Sequence, residues 1–305
     1  MTPRVSVVVA TRNRRRLLAR ALASVDAQRY RDFEVVVVDD GSDDGTVEWL
    51  RLQRPHDCIV ENDRQRGAAA SRNRGIAIAR GEIIAFLDDD DTWRPAYLDT
   101  QVRQLDADGD VEMSTTGHID ADASGRVSHP DVGPSFEYPN LRVQMLAECP
   151  VHTMSLVACR SAAFARIGLL DETLEIVHDL DWYVRLLAAG GRVVHDPAVL
   201  VERAVPGGLV TRYRHWFLEE RAVHQRMFAA GLVAPIEQRR VMAARSLFFA
   251  RIAFGKGDVG FGVARLAAAL AASPASTARL SVQRLRRRAR SYTAARLSAA
   301  GKAGQ

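Results

Sequence analysis

The alternation of apolar and polar residues changes character along the chain. Residues 5–10 (Val-Ser-Val-Val-Val-Ala), 33–39 and 83–87 are short, β-branched apolar runs. Continuous runs of this kind predict strands buried on both faces, and residues 58–60 predict a weaker one. Between them Leu17, Leu18, Ala21, Leu22 and Val25 recur at helical spacing. Residues 47–52 begin a second helix, 68–79 form a third rich in Ala and Arg, and Pro95 is placed to open a fourth. Strands alternating with helices of this length predict βαβ units in a doubly wound, mostly parallel α/β sheet of the Rossmann-like kind.

After residue 110 the pattern loosens. Residues 112–116 and 125–128 predict strands, 129–140 a Pro/Gly-rich loop, and 154–159 a returning strand. Residues 179–189 predict an amphipathic helix stopped by Gly190-Gly191, followed by short strands at 193–194 and 199–201. Beyond Pro206 the chain turns to Arg, Ala and Leu, with helical periodicity at 213–230, 236–254, 259–272 and 275–297. A boundary near residue 205 therefore separates an α/β domain (1–110 and 111–205 as its halves) from an all-helical appendage, 206–305.

Composition narrows the classes. With 305 residues, 47% hydrophobic and 26% charged, the chain is neither collagen-like nor wholly disordered. Cys58, Cys149 and Cys159 are odd in number and widely spaced, which argues against a disulfide framework or zinc ribbon and for reduced thiols. No segment reaches the roughly 18 apolar residues of a spanning helix, and the N-terminus lacks a signal-peptide pattern; the expectation is a cytoplasmic protein. The net charge of +5 is a cancellation. Residues 201–305 hold 19 Lys and Arg against 5 Asp and Glu, a balance of +14, while residues 1–200 hold 23 against 32, a balance of −9. The basic segment, densest at 284–290, suits an anionic membrane surface or lipid-linked acceptor through 275–305, on the inner face of the membrane; a solvated helix fits it as well. It lacks the interleaved aromatics of a nucleic-acid binder.

The chemistry-bearing residues lie at predicted strand ends, where open parallel sheets bind ligands. Ala10-Thr11-Arg12-Asn13 follows the first strand and is not Gly-x-Gly-x-x-Gly; no phosphate loop of the Gly-x-x-x-x-Gly-Lys-Ser/Thr type occurs either. Asp39-Asp40-Gly-Ser-Asp-Asp-Gly-Thr follows the second. A carboxylate there can accept from a nucleobase N–H, or the segment is a capping turn with Ser42 or Asp43 as N-cap. Asp88-Asp89-Asp90-Asp91 follows the fourth, with no run of basic residues alongside in sequence. Four adjacent carboxylates repel one another, and a divalent cation would relieve them.

Five segments in order carry a resemblance: the run from Val5 through Arg14, Ser24-Val-Asp-Ala-Gln28, Phe33 through Thr46, Gly67 through Ile76, and Gly81 through Pro95. Together they resemble the sugar-nucleotide-binding half of a family 2 glycosyltransferase of GT-A fold. Ile167–Glu172 and His178–Leu187 are similar to its acceptor side, so that the likeness spans about residues 4–205. The resemblance implies an inverting, metal-dependent transfer of a sugar from a nucleotide-diphosphate donor, taken to be a UDP-sugar, to an acceptor hydroxyl in polysaccharide or glycolipid synthesis. It implies that Asp40 contacts the base with Thr11 and Arg12 beside the uridine, and that Asp88 or Asp89 lies near the ribose. It further implies Asp90 as ligand of Mn²⁺ or Mg²⁺, and Asp179 as general base. His178 stands where the family usually has Glu, either as a pH-sensitive neighbour of the base or as a residue of the helix start. Val201-Glu-Arg203 leads into Pro-Gly-Gly with no histidine to serve as a further ligand. Asp181 and Arg185 are expected to anchor their helix, and Trp93, Trp182 and Tyr183 to pack or to stack on a sugar. The alternatives are a nucleotidyltransferase, which should show a Gly-rich basic loop after the first strand, and a catalytically silent module, which should have lost carboxylates.

Overall fold

A computed structural model of the chain describes residues 2–121, 131, 141–204 and 211–278. The chain forms two compact units, Met1–Met145 with Cys149–Gly207, and Leu146–Glu148 with Gly208–Gln305.

The first unit is built on an eight-stranded sheet. Its strands are β1 (Val5–Thr11), β2 (Phe33–Asp39), β3 (Cys58–Glu61), β4 (Ile83–Asp88), β5 (Thr92–Trp93), β6 (Val111–Ala121), β7 (Val157–Arg160) and β8 (Arg192–Ala204). They are ordered β3-β2-β1-β4-β7-β6-β8-β5. The β1–β2, β1–β4, β2–β3 and β6–β8 pairs are parallel, and β7 runs antiparallel to both neighbours. Val7, Val8, Val9, Val36, Val37 and Val38 are at most 1% exposed, as strands covered on both faces require. The parallel pairs leave the carboxyl ends of β1, β2 and β4 side by side.

Helix α1 (Arg15–Asp26) buries Leu18, Ala21, Leu22 and Val25, the stripe read from sequence. Helix α2 (Thr46–Gln53) begins at Gly45, whose φ of 77° is left-handed, and the Asp44 carboxylate accepts from the Thr46 N–H; Ser42 and Asp43 are therefore not its cap. Helix α3 (Ala68–Ile78) lies against β1 and β2. The contact depends on Gly75, where a β carbon would stand 2.5 Å from Val8 Cγ1 and 3.4 Å from Val38 Cγ2. Helix α4 (Tyr97–Asp106) follows β5.

The later half departs further from expectation. The strand expected at 112–116 extends over all of β6. The strand expected at 154–159 splits into a 3₁₀ turn, Met154–Leu156, and β7. The two short strands at 193–194 and 199–201 are one strand, β8. Thr116 pairs with Asp196 and Gly117 with Val199, so Pro197 and Ala198 are absorbed as a bulge rather than ending the strand. Helices α5 (Leu141–Glu148) and α6 (Ser161–Ile167) were not anticipated. Helix α7 (His178–Ala188) matches its prediction to within one residue at each end. The strand expected at 125–128 lies outside the described residues, as does 129–140 apart from Asp131.

The second unit contains α8 (Tyr213–Ala229), α9 (Pro235–Gly255) and α10 (Val259–Ala272). Arg245 Nε and Nη2 each donate at 2.6 Å to Glu220, with the guanidinium 4.2 Å from the Phe248 ring centroid. Trp216 meets Phe248 and Phe249 edge-on. No helix among the described residues is long and apolar enough to cross a membrane. The fourth helix, expected at 275–297, lies outside the described residues beyond 278.

Candidate active site

Three loops meet at the carboxyl ends of β1, β2 and β4. Asn13, at a φ of 53°, receives a bond on Oδ1 from Asp43 N–H and donates its own N–H to Ser42 Oγ, stitching the loop after β1 to the loop after β2. Asp40 is 5% exposed, and its carboxylate accepts from Asn62 Nδ2 (2.7 Å), Arg66 N–H (2.7 Å) and Gly67 N–H (2.9 Å). Those bonds fasten the β3–α3 connection to the end of β2. The neighbouring Asp39 is 1% exposed; its Oδ2 accepts from Ser42 N–H while its Oδ1 is buried without a partner. Asp39 is thus the carboxylate with an unused acceptor. The sequence left open which carboxylate of the Asp39–Thr46 segment meets a base, and the resemblance implied Asp40.

The four aspartates are not bare. Asp88 Oδ1 accepts from Arg72 of α3 and its Oδ2 from Thr153 Oγ1 at 2.6 Å. Asp89 accepts from Thr11 Oγ1 at 2.8 Å and from Arg14 at 3.0 Å. Asp91 accepts from Ala204 N–H at 2.9 Å, and its Oδ2 lies 3.2 Å from Thr153 Oγ1. No basic run lies alongside in sequence, yet Arg14 and Arg72 reach the turn from other segments, a non-local pairing invisible in the sequence. Asp90 has the fewest ties. Its side-chain partner among the described residues is Arg14, at 3.1 Å on Oδ2.

The electrostatics follow from these ties. Burial alone would raise Asp88, but Arg72 and Thr153 hold its carboxyl below the ordinary range. Asp89 is raised by burial, with Arg14 and Thr11 opposing. Asp90 is pushed up to about 6 by burial and then by the negative charges of Asp88 and Asp89. An incompletely satisfied, electrostatically disfavoured carboxylate is a hard-oxygen donor suited to Mn²⁺ or Mg²⁺. The turn does not gather three ligand atoms within 4.8 Å of one another, so an ion held at Asp90 would take most of its coordination from water and substrate phosphates.

Asp179 is the second residue of α7, where the helix dipole favours negative charge, and its Oδ1 accepts from Leu180 N–H at 2.7 Å. Burial nevertheless pushes its carboxyl up to about 6; Arg72 opposes the shift and Asp88 adds to it. Arg72 is the link. It donates to Asp88, it feels the charge of Asp179, and its Nη1 lies 2.7 Å from His178 Nε2. Because guanidinium only donates, Nε2 is the acceptor, and the ring is neutral. Burial and Arg72 lower His178 to about 3, so it does not titrate near neutral pH and serves to hold Arg72. Arg72 lies within a segment that carried the family resemblance, yet no spacing rule marked its role.

The remaining candidates separate cleanly. Thr11 is buried on Asp89, whereas Arg12 is exposed. Asp181 receives Arg185 Nε at 2.8 Å, and Arg185 also donates to the carbonyls of Ile167 and Leu169, the anchoring role expected of the pair. Trp93 stacks on Tyr97 at 4.1 Å, Trp182 stacks on Phe164 at 4.5 Å, and Tyr183 is fully buried, so all three pack rather than face a sugar.

The profile of the family described as "Glycosyl transferase family 2" matches residues 6–167. The chain is similar to the succinoglycan biosynthesis protein ExoO of Rhizobium meliloti, 29% identical over 264 residues, covering 80% of this chain and 74% of that one. It is also similar to a GalNAc(5)-diNAcBac-PP-undecaprenol beta-1,3-glucosyltransferase of Campylobacter jejuni, 32% identical over 133 residues, 41% of this chain and 43% of that one. Two curated relatives of about 40% identity are matched over only 30% and 36% of their own lengths. Among solved structures, the mannosyltransferase PcManGT from Pyrobaculum calidifontis, in complex with GDP-Man and Mn²⁺, superposes with a TM-score of 0.59 at 24% identity, covering 93% of this chain and 80% of that one. That likeness bears on the fold, which is GT-A.

Proposed function

The chain belongs to glycosyl transferase family 2, and from that premise we propose that it is an inverting, metal-dependent enzyme moving a sugar from a nucleotide-diphosphate donor to an acceptor hydroxyl. The observation that carries this is the Arg72 bridge, which ties Asp88 of the acidic turn to His178, the residue next to Asp179, whose carboxyl is raised by burial. A carboxyl near 6 is ionised at neutral pH yet basic enough to take a hydroxyl proton as the acceptor attacks. One displacement from the face opposite the leaving diphosphate inverts the anomeric carbon.

In this reading the unpartnered Oδ1 of Asp39 receives a base N–H, and Asp40 holds the loop that shapes the base pocket. Uracil, thymine and guanine each carry a ring N–H for that contact, whereas cytosine and adenine do not. Thr11 and Arg14 orient Asp89 toward the ribose, with Arg12 at the rim. Asp90 would hold Mn²⁺ or Mg²⁺, which supplies Lewis-acid neutralisation of the departing diphosphate when bound. The named relatives act in succinoglycan biosynthesis and on an undecaprenol-linked glycan. By likeness, an extracellular-polysaccharide or lipid-linked acceptor at the cytoplasmic face of a membrane is proposed here.

A screen of UDP-, GDP-, dTDP-, CDP- and ADP-sugars for donor hydrolysis tests the reading. Turnover with one of the first three, abolished by EDTA and by Asp90→Ala, is expected; undiminished turnover in excess EDTA would remove the metal. Liposome sedimentation with and without residues 275–305 tests the membrane part, and equal binding by both chains would sink it.

A further inference from the structure

We propose that His118, Asp131 and His152 form a second metal site, selective for a borderline ion such as Zn²⁺ and separate from the acidic turn. One ligand atom of each side chain lies within 4.8 Å of the other two, and no other such group of His, Cys, Asp or Glu occurs among the described residues. Two imidazoles and a carboxylate form the ligand set of zinc sites that keep a fourth position open. The hard oxygens of Asp88–Asp91 favour Mn²⁺ or Mg²⁺ instead.

The backbone brings these residues together. His118 N–H donates to the Asp131 carbonyl and Asp131 N–H to the His118 carbonyl, each at 2.7 Å. Gly117 permits that approach: a β carbon there would stand 2.8 Å from the Asp131 carbonyl oxygen and 3.1 Å from that of Pro197. The β6–β8 register shifts on both sides of Gly117, and a bulge of this kind re-aims the side chain beside it. The His118 and His152 rings then meet edge to face, their centroids 5.5 Å apart.

Behind His118 stands the support that metal-bound imidazoles use. Asp120 Oδ1 lies 3.5 Å from His118 Nε2, and Arg203 grips both Asp120 oxygens at 2.7 and 2.9 Å. The carboxylate there, paired with Arg203, offsets a positive charge that would repel a cation. His152 directly precedes Thr153, whose hydroxyl donates to Asp88 at 2.6 Å and lies 3.2 Å from Asp91. An ion on the three ligands would therefore clasp β6 to the segment ahead of β7, beside the acidic turn.

The test is a Co²⁺ titration of the untagged full chain, read by d–d absorption. One equivalent of strongly absorbing, low-coordinate cobalt, displaced by Zn²⁺ and unaffected by Asp90→Asn, is expected. His152→Ala and Asp131→Asn, at exposed positions where folding is verified by circular dichroism, should each weaken binding by more than about 10-fold. Absence of the band, its persistence in His152→Ala, or its loss with Asp90→Asn would each overturn the proposal. Failure of the acidic-turn assignment would show separately, as activity that survives EDTA.

Discussion

Each of the two units buries an arginine against a carboxylate, and the two burials differ in kind. In the helical unit Arg245 and Glu220 form a closed bidentate pair, 6% and 2% exposed, roofed by Phe248 and Phe249. Within that pair each charge has its counterpart. In the sheet unit Arg72 is shared among Asp88, His178 and the field of Asp179, while Asp89, Asp90 and Asp91 crowd the same turn. The balance is left open, and two carboxyls sit near 6 as a result. Burial of charge does not by itself mark a site; incomplete compensation at the end of a sheet does.

The contrast can be broken at four points. The largest effect is expected from Asp179→Asn, which should lower kcat by about 10²- to 10⁴-fold with donor affinity nearly unchanged. In the wild type, kcat should fall about tenfold per pH unit below about 6, as Asp179 takes up its proton and ceases to act as base. Steady-state rates and donor titration calorimetry check both; a tenth or more of the wild-type rate in Asp179→Asn would refute the base. Next, Glu220→Gln removes the counter-charge of a buried guanidinium and should cost about 3–5 kcal/mol in urea unfolding, whereas the apolar double replacement Glu220→Leu with Arg245→Met should come out near neutral.

The third point concerns Asp90, and its sign is opposite. Between about pH 3.8 and 6 the folded protein binds more protons at Asp90 than the unfolded chain does, so stability falls as pH rises through that window. Above it the ionised group is a full penalty. Asp90→Asn should therefore stabilise the metal-free protein at pH 7 by roughly 1–3 kcal/mol, and the gain should vanish near pH 4. Thermal melts at the two pH values measure it. The smallest effect belongs to a third pair, Arg51–Glu61, with 63% and 41% of its side chains exposed. Arg51→Ala should change stability by less than about 1 kcal/mol, since water already solvates both charges.

How much of this was legible in sequence follows the same divide between local and non-local order. β1, β2 and β4 could be read because both of their faces are covered, which writes an unbroken apolar run. β8 could not: Pro197 looks like a terminator, and only pairing with β6 across a bulge shows that the strand continues. Four consecutive aspartates announce themselves. Their partners Arg14, Arg72 and Thr153 come from distant segments, and an ordinary arginine among many carries no mark of which carboxylate it will meet. Asp39 was hidden for a different reason, since an unused oxygen is a property of packing and not of residue type.

Gly75 gives this geometry a mechanical meaning. The missing methyl that lets α3 rest on Val8 and Val38 sets the thickness of a spacer between helix and sheet, and Arg72 projects from that helix one turn earlier. The reach of the guanidinium to Asp88 is therefore gauged by clearance inside the core rather than by anything in the substrate cleft. A tool whose working edge is set by a shim behind it can lose alignment without a scratch on the edge.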